Sequence, residues 1–110
     1  MAYDLDLADR LRALLSAEPD VVEKRMFGGL AFLVGGHLAV SASGQSGLLL
    51  RVDPAQTNAL LQDPRVRPFE MRGRPMTGWL HVDADDAVSE DDLRRWVELG
   101  VALARSLPSR

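Results

Sequence analysis

The alternation of apolar and polar residues divides the chain into two outer helices and a central β region. Leu7, Leu11, Leu14 and Leu15 recur at helical spacing, which predicts a first helix over residues 4–17. A second apolar stripe predicts a helix from residue 89 to about residue 106, and its members are Leu93, Trp96, Val97, Gly100, Val101 and Ala104. Short apolar runs between these helices, separated by glycine and serine, predict β-strands.

The central region is predicted to be mainly an antiparallel meander. Its strands are expected at residues 21–27, 30–34, 37–42 and 48–52, because the connections are too short for a parallel crossover. Asp53 and Pro54 predict the start of a short helix that ends at residue 60 or 61. Residues 63–78 contain three prolines and two glycines, so we expect mostly loop there, with a short edge strand near residues 69–71. Regular structure is expected again at residues 79–82.

Two glycine pairs interrupt the β region. Gly35 and Gly36 fit a tight turn of the primed type, which needs a positive φ at both central residues. Gly28 and Gly29 fall within what would otherwise be one continuous strand. At this pair we expect a bulge, a sharp bend or the close approach of another backbone.

This order of elements predicts an α+β fold of two layers in a single domain, residues 1–110. An antiparallel sheet of about five or six strands would carry the N-terminal and C-terminal helices on one face. A chain of 110 residues with 46% hydrophobic residues can bury one core without disulfides or metals.

Alternation along the strands assigns side chains to the two faces of the predicted sheet. The face expected under the helices carries Leu38, Val40, Ala42, Leu48, Leu50, Val52, Leu80 and Val82. The opposite face carries His37, Ala39, Ser41, Leu49, Arg51, Trp79 and His81. Because protein interfaces are enriched in aromatic residues and arginine, we predict a partner or ligand face made of His37, Leu49, Arg51, Trp79 and His81. The alternative is that the second helix or the proline-rich segment covers this face.

Composition narrows the class of protein. The absence of cysteine excludes disulfide scaffolds, cysteine-ligated metal clusters and cysteine nucleophiles. The acidic start does not resemble a secretory signal, and no apolar run approaches the roughly 20 residues of a membrane helix. We therefore expect a cytoplasmic protein without membrane contact. A net charge of −3 argues against binding nucleic acid through a positive surface, so direct specific DNA binding is not expected.

No constellation of residues defines a reaction. His37, His81 and Asp83 lack the spacing of a metal site, so neither a metal nor another cofactor is expected. The glycine pairs do not precede a helix or a Lys-Ser/Thr motif, as a phosphate-binding loop requires. No nucleophile and base can be paired, and we do not expect an enzyme.

Arginine side chains offer a second kind of site. Arg72 and Arg74 flank a glycine and, with Arg25, are candidates for binding a carboxylate or phosphate through bidentate contacts. The alternative for the two loop arginines is pairing with the acidic segment at residues 83–92.

Several of these features together resemble the N-terminal domain of the TfoX/Sxy family. The most specific element is the run Arg25, Met26, Phe27, Gly28, Gly29, Leu30, Ala31 and Phe32. It is followed in order by Gly36, by Leu49-Leu50-Arg51-Val52, by Arg74-Pro75-Met76 with Gly78-Trp79 and Val82, and by Leu93 and Trp96. The resemblance covers nearly the whole chain. It implies an antiparallel sheet with helices on one side, similar to the secretion-chaperone-like fold.

The family is named for regulators of natural competence, and the resemblance therefore implies a regulatory domain. We predict a protein-interaction domain that forms a homodimer, has a regulatory protein as a possible partner and works without catalysis. The alternative is a small-ligand or anion-binding module that uses Arg25, Arg51, Arg72 and Arg74.

Overall fold

The computed structural model describes residues 3–26, 28–44, 47–71, 73–84 and 88–108. In chain order these residues form α1 (Leu5–Leu14), β1 (Val21–Met26), β2 (Gly29–Val34), β3 (His37–Ala42), β4 (Leu48–Arg51), a 3₁₀ turn (Pro54–Gln56), α2 (Thr57–Leu60), β5 (Val66–Met71), β6 (Arg74–Val82) and α3 (Glu90–Ser106). The six strands lie in one antiparallel sheet in the order β1-β2-β3-β4-β6-β5. The predicted α+β fold is confirmed.

Side-chain caps define where the helices begin. The Asp4 carboxylate accepts hydrogen bonds from the backbone N–H groups of Asp6 and Leu7 at the start of α1. The Ser89 hydroxyl accepts one from the N–H of Asp92 at the start of α3. At its other end α1 stops at Leu14, three residues before the predicted limit of residue 17. The following residues form a tighter turn with a bond between residues three apart, a common way for a last helical turn to satisfy its carbonyls.

α1 and α3 pack on one face of the sheet and close the main hydrophobic core. The largest side chains buried there include Leu11, Phe32, Leu50, Leu93 and Trp96. Each contributes about 1.5–3 kcal/mol relative to exposure to water. No helix in the described part of the chain is long and apolar enough to cross a membrane.

A β-bulge in β3 makes the predicted face assignment wrong at three positions, His37, Leu38 and Ala39. The register of β2 with β3 shifts by one residue between Phe32 and Leu33, which leaves Ala39 as an extra residue. Leu38 therefore faces away from the helices, where it is 4% exposed within a separate apolar cluster. Ala39 packs instead with Ala104 of α3. An apolar run continues through the bulge, so the sequence pattern carries no sign of it.

The proline-rich segment forms a long hairpin, so the expectation of mostly loop is wrong, whereas the edge strand expected near residues 69–71 is confirmed as part of the longer β5. β5 is an edge strand, so Pro68 needs no N–H on its outer side, and the register with β6 shifts between Pro68 and Glu70. Pro75 lies on the part of β6 that extends past β4, because the pairing of β4 with β6 ends at Trp79. Both prolines thus lie at positions where the sheet does not need a backbone N–H donor.

The behaviour predicted for the glycine pairs is confirmed. Gly35 and Gly36 have φ values of +61° and +87° in the turn between β2 and β3. Gly28 has a φ of +75°. A Cβ atom on Gly29 would lie 2.2 Å from the carbonyl oxygen of Ala42, so the backbone of β3 does approach closely. Phe27, the remaining apolar member of this motif, lies outside the described residues.

Candidate partner-binding surface

The face of the sheet opposite the helices carries a second, smaller apolar cluster. Side chains from four strands are buried at its centre, namely Ala31, Leu38, Leu49 and Phe69. Partly buried side chains pack against them, and these are Met26, Met76 and Trp79. The chain thus covers much of this face itself, with Phe69 supplied by the proline-rich segment, and Trp79 stays partly accessible at the β6 side of the face.

The residues of the predicted partner face fall into three different environments. Leu49 and His81 are 2% and 3% exposed, so they lie inside the molecule. Arg51 and Trp79 remain half-buried and lie together. His37 is not on this face, because the bulge in β3 turns its side chain to the side of the sheet that the helices cover. Its Nε2 donates to the carbonyl oxygen of Pro108, beyond the end of α3, over 2.5 Å.

Arg51 and Trp79 form a stacked pair at the accessible end of this face. They lie directly opposite each other in the pairing of β4 with β6. The guanidinium carbon of Arg51 is 5.2 Å from the centroid of the Trp79 ring, within the range of a cation–π interaction. The stack holds both side chains in defined positions at the surface.

An apolar groove of about 290 Å³ lies beside Trp79. Its walls come from the 3₁₀ turn, α2, β5 and β6. The apolar lining residues include Pro54, Pro68, Pro75, Met76 and Trp79, and the polar ones are Thr57, Asn58 and Thr77. None of the described lining residues is charged. Because proline rings lose no rotamer freedom when they are covered, this groove is already shaped for contact. We refer to the groove with the Arg51–Trp79 stack as the Trp79 surface.

The anion-binding candidates are not gathered at one place by the pairing register. Arg25 lies in the same cross-sheet row as Val82, whereas Arg74 precedes Val82 by eight residues on β6 and lies at the other end of the sheet. Arg72 lies outside the described residues. The acidic segment pairs with Arg65 and Arg67: Arg65 Nη1 is 3.2 Å from a carboxylate oxygen of Asp92, and Arg67 Nη2 is 3.5 Å from one of Asp83.

The comparison with family models supplies the identification. The model described as the TfoX N-terminal domain matches residues 13–104 of the 110 residues. The chain belongs to this family. The match includes every strand of the sheet and all lining residues of the Trp79 surface. No curated protein and no solved structure matches the chain significantly.

This TfoX N-terminal domain also contains a buried histidine next to a small pocket. His81 Nε2 is 3.3 Å from Asp83 Oδ1, but the alignment is too poor for a hydrogen bond, and neither ring nitrogen has a hydrogen-bond partner among the described residues. Burial is the main cause that lowers the pKa of His81; the charge of Arg67 adds to it, and Asp83 opposes it. A pocket of about 270 Å³ lies alongside, lined partly by Arg67 and Phe69. The described residues contain no group of three or more side chains placed to hold a metal ion.

Sequence analysis identified Arg51 and Trp79 but missed the rest of the Trp79 surface. Pro54 predicts the start of a helix, and Pro68 and Pro75 predict a loop, so none of the three indicates a wall of this groove. The missed signal was the density of rigid and apolar side chains around Trp79: Pro68, Pro75 and Met76 all lie within eleven residues of it.

Proposed function

We propose that this TfoX N-terminal domain is a small cytoplasmic regulatory domain that forms a homodimer and binds a protein partner without catalysing a reaction. The observation that carries the proposal is the partly exposed Arg51–Trp79 stack beside a largely apolar, uncharged groove. Tryptophan and arginine are the residue types that most often anchor protein interfaces. The regulatory role is what membership of this family suggests.

The size and chemistry of the groove favour a protein segment over a small molecule. Small-molecule sites span roughly 300–1,000 Å³ and enclose most of their ligand. At about 290 Å³, this groove is just below that range, and one wall is the partly exposed Trp79 ring. A partner that places an apolar side chain in the groove would complete the burial of the indole. Complete burial from full exposure contributes about 1.5–3 kcal/mol; because Trp79 is already mostly buried, covering its remaining surface adds up to about 1 kcal/mol, and the partner's own buried side chain adds its contribution to this.

The alternative of an anion-binding module has weaker support. It requires arginine side chains that converge on one ligand, and the register separates Arg25 from Arg74. Arg51 is engaged with the Trp79 ring. We therefore keep the protein-interaction role as the proposal.

The test compares two substitutions in the Trp79 surface with one elsewhere. A protein retained by the immobilised chain from host extract is purified and titrated against each variant. Trp79→Ala removes the anchor, and Asn58→Arg places a long charged side chain at the exposed rim of the groove. Leu5→Ala is the control, since Leu5 is an apolar side chain exposed on α1.

We expect Trp79→Ala and Asn58→Arg each to weaken binding by roughly tenfold or more, the usual effect of losing an interface anchor. Leu5→Ala should leave the affinity unchanged. Equal affinity for all variants would reject the Trp79 surface as the binding site. Sedimentation of the wild-type chain over a range of concentrations tests the homodimer separately, and a monomer throughout would remove that part of the proposal.

A further inference from the structure

The two edges of the sheet differ in their ability to pair with another strand. Edge β5 contains Pro68 and has a register shift between Pro68 and Glu70, two features that impair pairing with an added strand. Edge β1 pairs with β2 in uninterrupted register along all six residues from Val21 to Met26 and contains no proline. β1 is therefore the edge with a regular row of backbone donors and acceptors left to pair.

The side chains of β1 are unusually exposed for such a strand. Val22 is 59% exposed, the largest value for a large hydrophobic residue in the described chain. It lies on the face opposite the helices, as does Met26, which packs against the smaller apolar cluster. An exposed β-branched residue on a regular edge strand is typical of a pairing site.

The charged residues of β1 are complementary to those of an identical strand that runs antiparallel to it. The Glu23 carboxylate is held on the helix side by the guanidinium of Arg12, over 2.6 and 2.8 Å. Arg25 lies two residues away on the same side. Neither Lys24 nor Arg25 has an ion-pair partner among the described residues. The strand thus presents a carboxylate that can accept a second donor and a guanidinium without a partner.

We propose that β1 pairs with β1 of a second copy of this chain, antiparallel, about a two-fold axis at Lys24. In this register Glu23 of each copy lies opposite Arg25 of the other, and Val22 of each lies opposite Met26 of the other. Lys24 lies opposite its own counterpart. The axis is perpendicular to the sheet, so the sheet continues across the dimer with the helices of both copies on one side.

Neighbouring registers are less favourable. An axis at Glu23 places the two Glu23 carboxylates opposite each other. It also places Val22 of each copy opposite Lys24 of the other, so an apolar side chain faces a charged one. An axis at Val22 pairs only three strand residues, from Val21 to Glu23. The axis at Lys24 pairs five residues, with two favourable charge pairs and two apolar pairs against one repulsive pair. The repulsion between the two lysines weakens the dimer, and because salt screens exposed charge pairs, its affinity depends on ionic strength.

Disulfide trapping tests the register directly, because the wild-type chain contains no cysteine. In Lys24→Cys the two thiols lie directly opposite, where Cβ atoms are about 4.5–5.5 Å apart and small movements allow a disulfide. In Val22→Cys the two thiols are four residues apart along the strands, about 13 Å, and cannot be joined. Glu70→Cys, at an exposed position on β5, controls for random collision.

We expect Lys24→Cys to form a covalent dimer roughly tenfold faster than the other two variants under the same mild oxidation. All three positions are exposed in the single chain, so the substitutions leave the core intact. A rate for Lys24→Cys equal to that of Glu70→Cys would overturn the proposal. Faster trapping of Val22→Cys would overturn the register.

A charge exchange provides a second test without crosslinking. Arg25→Glu and Glu23→Arg each place like charges opposite each other, so each variant alone should dimerise roughly tenfold more weakly. Mixed together, the two variants restore both charge pairs and should form a heterodimer. Glu98→Arg, an exposed change on α3, is the control. If Arg25→Glu dimerised as strongly as the wild-type chain, the proposed pairing through β1 would be wrong.

The inference rests on the homodimer of the proposed function, and sedimentation separates their failures. A wild-type dimer that Arg25→Glu does not weaken would reject the β1 edge and leave the homodimer standing. A wild-type monomer with no trapping of Lys24→Cys would reject both. Trp79→Ala should leave dimerisation through β1 unchanged, because Trp79 lies on β6 and three strands separate β6 from β1.

Discussion

Replacing Gly29 by alanine should be among the most destabilising single-methyl changes in this domain. The φ angle of Gly29 is not in the left-handed region, so an alanine backbone can adopt it. The new Cβ would lie 2.2 Å from the carbonyl oxygen of Ala42 and 2.9 Å from the backbone nitrogen of Gly44, whereas ordinary contacts are 3.4–4 Å. Both obstacles are backbone atoms, and relief requires β2 and β3 to separate by more than an ångström. Overpacking costs about 1–3 kcal/mol, and we expect the upper end of that range here.

Gly28 provides the matched comparison, because its constraint is conformational and not steric. Its φ is +75°, but the nearest atom to a new Cβ is 3.9 Å away. Gly28→Ala should cost about 1–2 kcal/mol, the penalty for a left-handed residue. Asparagine tolerates this conformation, so Gly28→Asn should recover part of the loss, whereas Gly29→Asn should recover none.

Urea unfolding of the four variants measures these differences as shifts in the midpoint at constant slope. A loss of less than about 0.5 kcal/mol for Gly29→Ala would refute the steric argument, since surface changes fall within that range. An equal loss for Gly28→Ala and Gly28→Asn would refute the conformational one.

Two further predictions concern acid stability and DNA. Burial lowers the pKa of His81 in the folded chain, so the unfolded chain binds a proton more readily and stability should fall as the pH drops below the ordinary histidine value of about 6.5. The slope cannot exceed about 1.4 kcal/mol per pH unit for one proton, and His81→Asn should flatten it in urea unfolding between pH 5.5 and 7.5; an unchanged slope would place the titrating group elsewhere. The chain should not bind duplex DNA specifically at about 150 mM salt, because it is acidic and lacks a basic recognition helix; a nanomolar, sequence-dependent mobility shift would contradict this.

Local chemistry made most of the fold predictable. Helix starts depend on a side chain and the next few N–H groups, so helix starts at Asp53 and near Ser89 could be predicted from residue type and position, while for the first helix the sequence offers both Asp4 and Asp6 and the structure uses Asp4. A tight turn of this type needs a positive φ at both central residues, and the glycine pair at Gly35 and Gly36 therefore predicts where the turn lies. Each of these signals involves only a few neighbouring residues, so it can be recognised in a single sequence without knowledge of the tertiary structure.

The errors arose where a residue depends on its neighbours across the sheet. A proline is excluded from a central strand but accepted at an edge, and the prolines and glycines of residues 63–78 do not show that the predicted short edge strand extends from Val66 to Met71 and pairs with β6. The bulge at Ala39 lies where α3 approaches β3 closely, since a Cβ on Gly100 would lie 2.4 Å from the Ala39 carbonyl oxygen. That contact joins residues 61 positions apart in the sequence. The bulge also moves His37 off the predicted partner face.

The same tertiary effects decided how much of the candidate surface was predictable. Arg51 and Trp79 could be placed together because alternation and strand pairing are regular between β4 and β6. Leu49 and His81 have the correct alternation, but Phe69 and neighbouring side chains bury that part of the face. The alternation of side chains along a strand shows which face a residue lies on, but it does not show whether a segment distant in sequence buries that residue.

The strand order separates the two proposed surfaces. β1 forms one edge, and the Trp79 surface is built mainly by β5 and β6 at the other edge. A dimer joined through β1 would therefore leave both copies of the Trp79 surface free and far apart. A partner that is itself dimeric could then bind both at once, and the second contact would gain from a high effective concentration. A moderate affinity at each groove would suffice for tight binding, and a chain kept monomeric by Arg25→Glu would lose that gain even though its groove is intact.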